Sequence, residues 1–237
     1  PRVVFEHSPT YDQFGSIRTF ENLPLFSRRS TLEGLYMQSS ITAPFSFYLQ
    51  SELSAQASAP LRQYSYTYQN LSNALLHLNL FNVSQIIAAS DELKRLCAAS
   101  TNLVRETTHG DIQVYRIKNS AQGYVVPYTT QPLLADHHDW RSKSLLWFRF
   151  PSPEKPPIVF VDPSKFNQPA FHDFLSISDE RDAFVRPPIR PLPGTIPSVE
   201  SKLSRSGIMI TTSHPGWPLI VKVSYHPNWR CTGADGP

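Results

Sequence analysis

The stretch Val83-Ser-Gln-Ile-Ile-Ala-Ala-Ser-Asp-Glu-Leu-Lys-Arg-Leu-Cys-Ala-Ala99 decides the fold. Val83 to Ala89 is uncharged and carries the β-branched Val83, Ile86 and Ile87, which makes it a candidate for a buried strand. Ser90 then supplies a capping hydroxyl. Asp91 and Glu92 face the positive end of a helix dipole, and Lys94-Arg95 follow one turn later. Downstream, Leu103–Thr107 and Ile112–Ile117 flank a His109-Gly-Asp111 turn, and the second run alternates apolar and polar residues, which predicts a hairpin. Upstream, Asn70 is placed to cap a helix over 71–80, with Leu71, Leu75, Leu78 and Leu80 apolar. The spacing of Ile41, Phe45, Tyr48, Leu49 and Leu53 predicts a helix over 44–57, with Pro44 in its first turn. Arg2-Val-Val-Phe5 reads as a first strand, ended by the turn residues of His7-Ser-Pro-Thr-Tyr-Asp12. Residues 1–123 thus form a small mixed α/β portion.

Beyond Gly123 prolines crowd the next seventy residues and exclude long helices, leaving strand candidates at 145–150, 158–161, 207–212 and 218–225. Residues 124–237 are therefore expected to form a proline-rich, β-sandwich-like portion. The last residues, Cys231 to Pro237, read as a turn whose following strand is missing, so this portion is expected to be truncated at its C-terminal end. The fold class is α+β.

Composition excludes several functions. The formal net charge of +3 comes from 22 basic and 19 acidic residues, with no basic run longer than Arg28-Arg29, so nucleic acid is set aside as a partner. The 22 prolines against 9 glycines make the irregular segments stiff. No continuous apolar stretch is long enough to span a membrane. Cys97 and Cys231 have no metal-binding spacing and are expected to be unpaired and mostly buried. There is no Gly-rich phosphate loop, nucleophile elbow or zinc-protease helix, and no cofactor is implied.

The segment Glu21 to Ser40 is dense in polar groups without periodicity, and such a loop is costly to order unless it builds a site. Arg28 suits a phosphate or carboxylate, Glu21 and Glu33 suit a base or a hydroxyl acceptor, and Tyr36 suits stacking. Asn22 and Gln38 add amide groups to the same candidate ligand site. His226 and Trp229, in Tyr225-His-Pro-Asn-Trp229, suit sugar stacking with hydrogen bonding. The alternative is a loop that caps the sheet and the next helix. Asp136-His-His-Asp139 is the densest set of metal-ligand types. In an extended segment neighbouring side chains point to opposite faces, so no metal site is expected there and a solvated loop is preferred. The sequons at Asn70 and Asn82 fall in predicted elements and are discounted.

Three stretches carry a resemblance: Glu21–Ser40 continuing into Ile41-Thr-Ala-Pro-Phe-Ser-Phe-Tyr-Leu-Gln-Ser-Glu52; the unit from Leu78 through Ile87 to Ile112-Gln-Val-Tyr115; and Val221-Lys-Val-Ser-Tyr-His-Pro-Asn-Trp229 with Gly233-Ala-Asp-Gly236. Together they resemble large multi-spanning bacterial and archaeal membrane proteins labelled 6-pyruvoyl-tetrahydropterin synthase-related, which are similar to YfhO-like proteins of the glycosyltransferase-C type. The resemblance implies a membrane-attached domain on the extracytoplasmic face, partnered by the membrane body of the same protein. It implies a role accessory to envelope glycan or lipid-linked sugar transfer, with a glycan or polyprenyl-linked sugar as ligand and the catalytic acids in the membrane body. Pterin synthesis itself is not expected, since none of the eight histidines forms a His-x-His pair. Two rivals stand beside this reading: a structural or partner-binding ectodomain without sugar contact, and a self-contained carbohydrate-active enzyme using Glu21, Glu33 and His226.

Overall fold

The structure is a computed structural model that describes residues 2–33, 40–120, 123–204, 206–223 and 228–233. It is a mixed α+β chain of two compact units, residues 1–123 with 222–225, and residues 124–221 with 226–237.

The first unit runs β1 (Arg2–Phe5), a short α1 (Leu23–Ser27), α2 (Ala43–Leu53), α3 (Leu71–Leu80), β2 (Val83–Ala88), α4 (Asp91–Ala99), β3 (Leu103–His109) and β4 (Ile112–Ile117). Its sheet has the order β1-β2-β4-β3, with β1 and β2 parallel and the other neighbours antiparallel. The caps read from sequence are made: Asn70 Oδ1 accepts from Asn73 N at 3.1 Å, and Ser90 Oγ accepts from Leu93 N at 3.2 Å. Strand alternation sorts the core. Val4 joins Leu49, Leu53, Leu78, Ile86, Leu93 and Tyr115 on one face of the sheet, while Val3 and Phe5 join Tyr11 and Ile87 on the other. Each such fully buried aliphatic side chain contributes roughly 1.5–3 kcal/mol of transfer free energy.

One sequence expectation needs correction here. Helix α2 stops at Leu53 rather than 57, because Ser54 turns extended, its hydroxyl donating back to Gln50 O while accepting from His7 N. Within α2, Ser46, Gln50, Ser51 and Glu52 are buried along with its apolar residues. Its polar groups bond inward, Ser51 Oγ accepting from Thr67 N and the Glu52 carbonyl from Asn70 N, so the 54–70 segment covers that side.

The second unit contains β5 (Val125–Pro127), β6 (Leu133–Asp136), α5 (Trp140–Phe148), β7 (Ile158–Val161), β8 (Leu175–Ser176), α6 (Arg181–Val185), β9 (Val199–Leu203), β10 (Ile208–Thr212) and β11 (Leu219–Val221). The β-sandwich-like expectation resolves into three small sheets: β7-β6-β8, all parallel; the β9–β10 hairpin; and β5 paired antiparallel with β11. The strand expected at 145–150 is instead the end of α5. Eleven proline-free residues from Trp140 to Phe150 leave room for a nine-residue helix, and Leu145 and Phe148 bury at helical spacing. Lys155 closes that helix, its Nζ donating to the carbonyls of Trp147 and Phe150; burial pushes this ammonium down to about 8.

Both cysteines are free. Cys97 is buried as expected, and Cys231 is exposed, because it follows the last strand of its unit in an irregular segment. Among the described residues no helix is long and apolar enough to cross a membrane.

Candidate functional site

The first unit gathers acids at the carboxyl ends of its parallel strands, the side of such a sheet on which loops build sites. Glu6 follows β1 directly and is wholly buried. Its Oε1 accepts from Ala89 N at 2.6 Å and Ser90 N at 2.7 Å, and its Oε2 accepts from Ser90 Oγ at 2.6 Å. This carboxylate is therefore spent on the β2–α4 turn, where it also meets the positive end of α4. Sequence reasoning missed it, because a lone Glu after a short strand carries no local signature.

Beyond β1 the chain adds a bridge. Val3 pairs with Thr31 in parallel and donates its N–H to Ser30 O at 2.8 Å. That pairing sets Glu33 level with Phe5, at the carboxyl end of β1. Burial, first, and then the charge of Glu21 push the Glu33 carboxyl up to about 8, with Arg18 opposing. Gln50 of α2 donates its amide to Glu33 Oε1. The other Gln50 side-chain atom, Oε1, is buried with no partner among the described residues. Glu21, also buried, is gripped in a fork by Arg18, through Nε and through Nη2 at 2.7 Å. Tyr11 completes the group: its hydroxyl donates to Ile87 O at 3.4 Å, and burial, then the fields of Glu6 and Glu33, push its pKa well above the ordinary phenol range.

The candidates named from sequence fall into three sets. Glu21 and Glu33 are brought together, each within the other's field. Asn22 precedes α1 without making a side-chain cap, and Arg28 ends it, exposed, in the left-handed region at φ 56° with no bond among the described residues. Trp229 is 45% exposed in the second unit. Tyr36, Gln38 and His226 lie outside the described residues. Between Glu21 and Glu33, α1 exposes two large apolar side chains, Leu25 at 74% and Phe26 at 86%, next to the exposed Arg28 and Arg29.

A second buried polar pair sits under α2 and α3. His77 Nδ1 lies 2.6 Å from Glu52 Oε2, both side chains essentially inaccessible. Burial raises the Glu52 carboxyl, and the bond to His77 opposes that. The positions are 25 apart, so only the packing of α2 on α3 reveals the pair. Cys97 lines a shallow depression with Leu103, Arg105 and Tyr115, but burial pushes its thiol up to about 12, which removes it as a nucleophile.

A family model described as Domain of unknown function (DUF8559) matches residues 1–129. The chain belongs to that family. No curated protein and no solved structure matches it. The DUF8559 match contains the whole Glu6–Glu21–Glu33 group, together with Arg18, Tyr11 and Gln50.

In chemical terms this DUF8559 group mixes roles. A carboxyl that stays protonated at neutral pH both donates and accepts; the oxygens of Glu21, forked by Arg18, accept; and the Gln50 oxygen, without a partner among the described residues, accepts. Such a set matches hydroxyl groups, which themselves donate and accept.

Proposed function

We propose that this chain is an extracytoplasmic domain attached to the membrane body of the same protein, accessory to envelope glycan or lipid-linked sugar transfer. The observation that carries the reading is the buried Gln50 Oε1, which has no partner among the described residues, beside the Glu33 carboxyl that burial pushes up to about 8. A buried acceptor without a donor costs about 1–3 kcal/mol, and a ligand hydroxyl would relieve it. The exposed tip of Leu25 and Phe26 with Arg28 and Arg29 suits a ligand that is polar at one end and lipid at the other.

Saturation-transfer NMR of the chain against envelope oligosaccharides and polyprenyl-phosphate analogues tests it, repeated with Glu33→Gln and Arg18→Lys. Transfer to wild type that falls in both variants, with their melting transitions intact, is the expected result. Absence of transfer from every ligand to the folded chain would return the reading to a structural or partner-binding ectodomain. Turnover of a glycoside by the isolated chain, lost in Glu33→Gln, would instead establish the enzyme reading.

A further inference from the structure

The second unit has its own charged cluster at the carboxyl ends of parallel strands, and it lies outside the family match. Strand β6 ends at Asp136, and the chain does not stay extended. His137 N donates to Val161 O of β7 at 3.0 Å, His138 N turns back onto Asp136 Oδ1 at 2.9 Å, and Asp139 takes a left-handed φ of 51° before α5 begins. The alternation that would send His137 and His138 to opposite faces therefore fails one residue after the strand ends. Their rings come together at 4.3 Å between centroids. Asp136 Oδ1 lies 3.3 Å from His137 Nδ1 and 2.6 Å from His138 Nδ1, and one ligand atom from each residue falls within 4.8 Å of the others.

A tetrahedral ion with bonds near 2.0–2.2 Å holds its ligand atoms roughly 3.3 Å apart, so a small opening of the Asp136–His138 bond makes room for one. Lys143 Nζ donates to the Asp136 carbonyl at 3.1 Å and pairs with Asp179 at 2.8 Å, so part of its charge is balanced beside the cluster. Asp162, which follows β7, is engaged locally, its Oδ1 accepting from Ser164 N at 2.9 Å and from Ser164 Oγ at 2.7 Å, so the cluster rests on three residues. Both histidines are open to solvent, which gives an ion an entry path.

We infer that Asp136, His137 and His138 form a binding site for one transition-metal ion of the zinc, nickel or copper class. Two imidazoles and a carboxylate suit those ions rather than calcium or magnesium, which take oxygen ligands throughout.

The experiment titrates the full chain, in a Cys231→Ser background that removes the exposed thiol, with Zn²⁺ by calorimetry and with Co²⁺ by visible absorption and imidazole NMR. The expected result is one equivalent bound, with signals of His137 and His138 broadened by Co²⁺ ahead of those of His109, His172 and His214. His137→Ala with His138→Ala should weaken binding at least about tenfold, with the melting transition unchanged. No binding by the folded chain, or binding that survives the double substitution, would overturn the assignment.

Discussion

In the first unit the carboxyl end of β1 carries the wholly buried Glu6, with the buried Glu21 and the half-buried Glu33 in the same group; in the second, the carboxyl end of β6 carries the half-buried Asp136 and the exposed His137 and His138. The strand arrangement is the same, since β1 with β2 and β6 with β7 are parallel neighbours. The charged groups behave oppositely. Burial lifts Glu33 to about 8, whereas the Asp136 carboxyl is held below its ordinary range, first by the His138 N–H and then by the His138 side chain. Topology places the groups, and for Glu33 and Asp136 the local cover and hydrogen bonds set the direction in which the carboxyl moves. Among the described residues 23 apolar side chains are buried in the first unit and 8 in the second.

The largest effect that sharpens this contrast comes from Glu6. Glu6→Ala removes the acceptor for Ala89 N, Ser90 N and Ser90 Oγ at the start of α4. Hydrogen bonds to a charged acceptor are worth about 1.5–3 kcal/mol each, and water entering the vacated space repays part of that. A loss of about 3–5 kcal/mol in urea unfolding, followed by far-UV circular dichroism, is expected. Glu6→Gln should lose less, because its amide oxygen still accepts from the two backbone groups. A loss under about 1 kcal/mol for Glu6→Ala would break the contrast, since the cover would then not matter.

Glu33 gives the next effect. Its folded value near 8 lies above the ordinary 4.5, so between those two pH values the folded chain holds a proton that the unfolded chain has released. The stability this represents is complete below about pH 4.5 and falls as pH rises through 8. The slope approaches at most about 1.4 kcal/mol per pH unit. Unfolding midpoints between pH 5 and pH 8 should decline for wild type and flatten in Glu33→Gln. An unchanged slope in that variant would mean that Glu33 is solvated and already ionised.

Most of the first unit was legible because its signals are local. Ser90 and Asn70 declare their helices, and the alternation of Ile112 to Ile117 declares its strand. In the second unit the proline spacing pointed to extended chain and hid α5, whose residues 140–148 hold no proline. The candidate site was legible by residue type at Glu21 and Glu33, which sit in a polar loop without period. Their partners were not: Gln50 lies 17 residues from Glu33, and its helical spacing marks it as ordinary surface. Glu6 and the Glu52–His77 pair escaped for the same reason, since contacts across 25 to 84 positions leave no trace in spacing.

The smallest effect is expected where the cover is thinnest. Asp136→Asn keeps the shape of the side chain, and its oxygen still accepts from His138 N; His138→Ala removes a ring whose atoms are largely in water. Neither change opens a cavity or strands a buried group, so the mechanisms that make substitutions costly are missing. Both variants should melt within about 2 °C of wild type in the absence of added metal. With Zn²⁺ in excess the wild type should gain melting temperature and both variants should gain less, because only the folded chain holds the ligands together. A large loss of stability without metal would show that Asp136 and His138 serve the fold, and would erase the difference between the exposed and the covered strand ends.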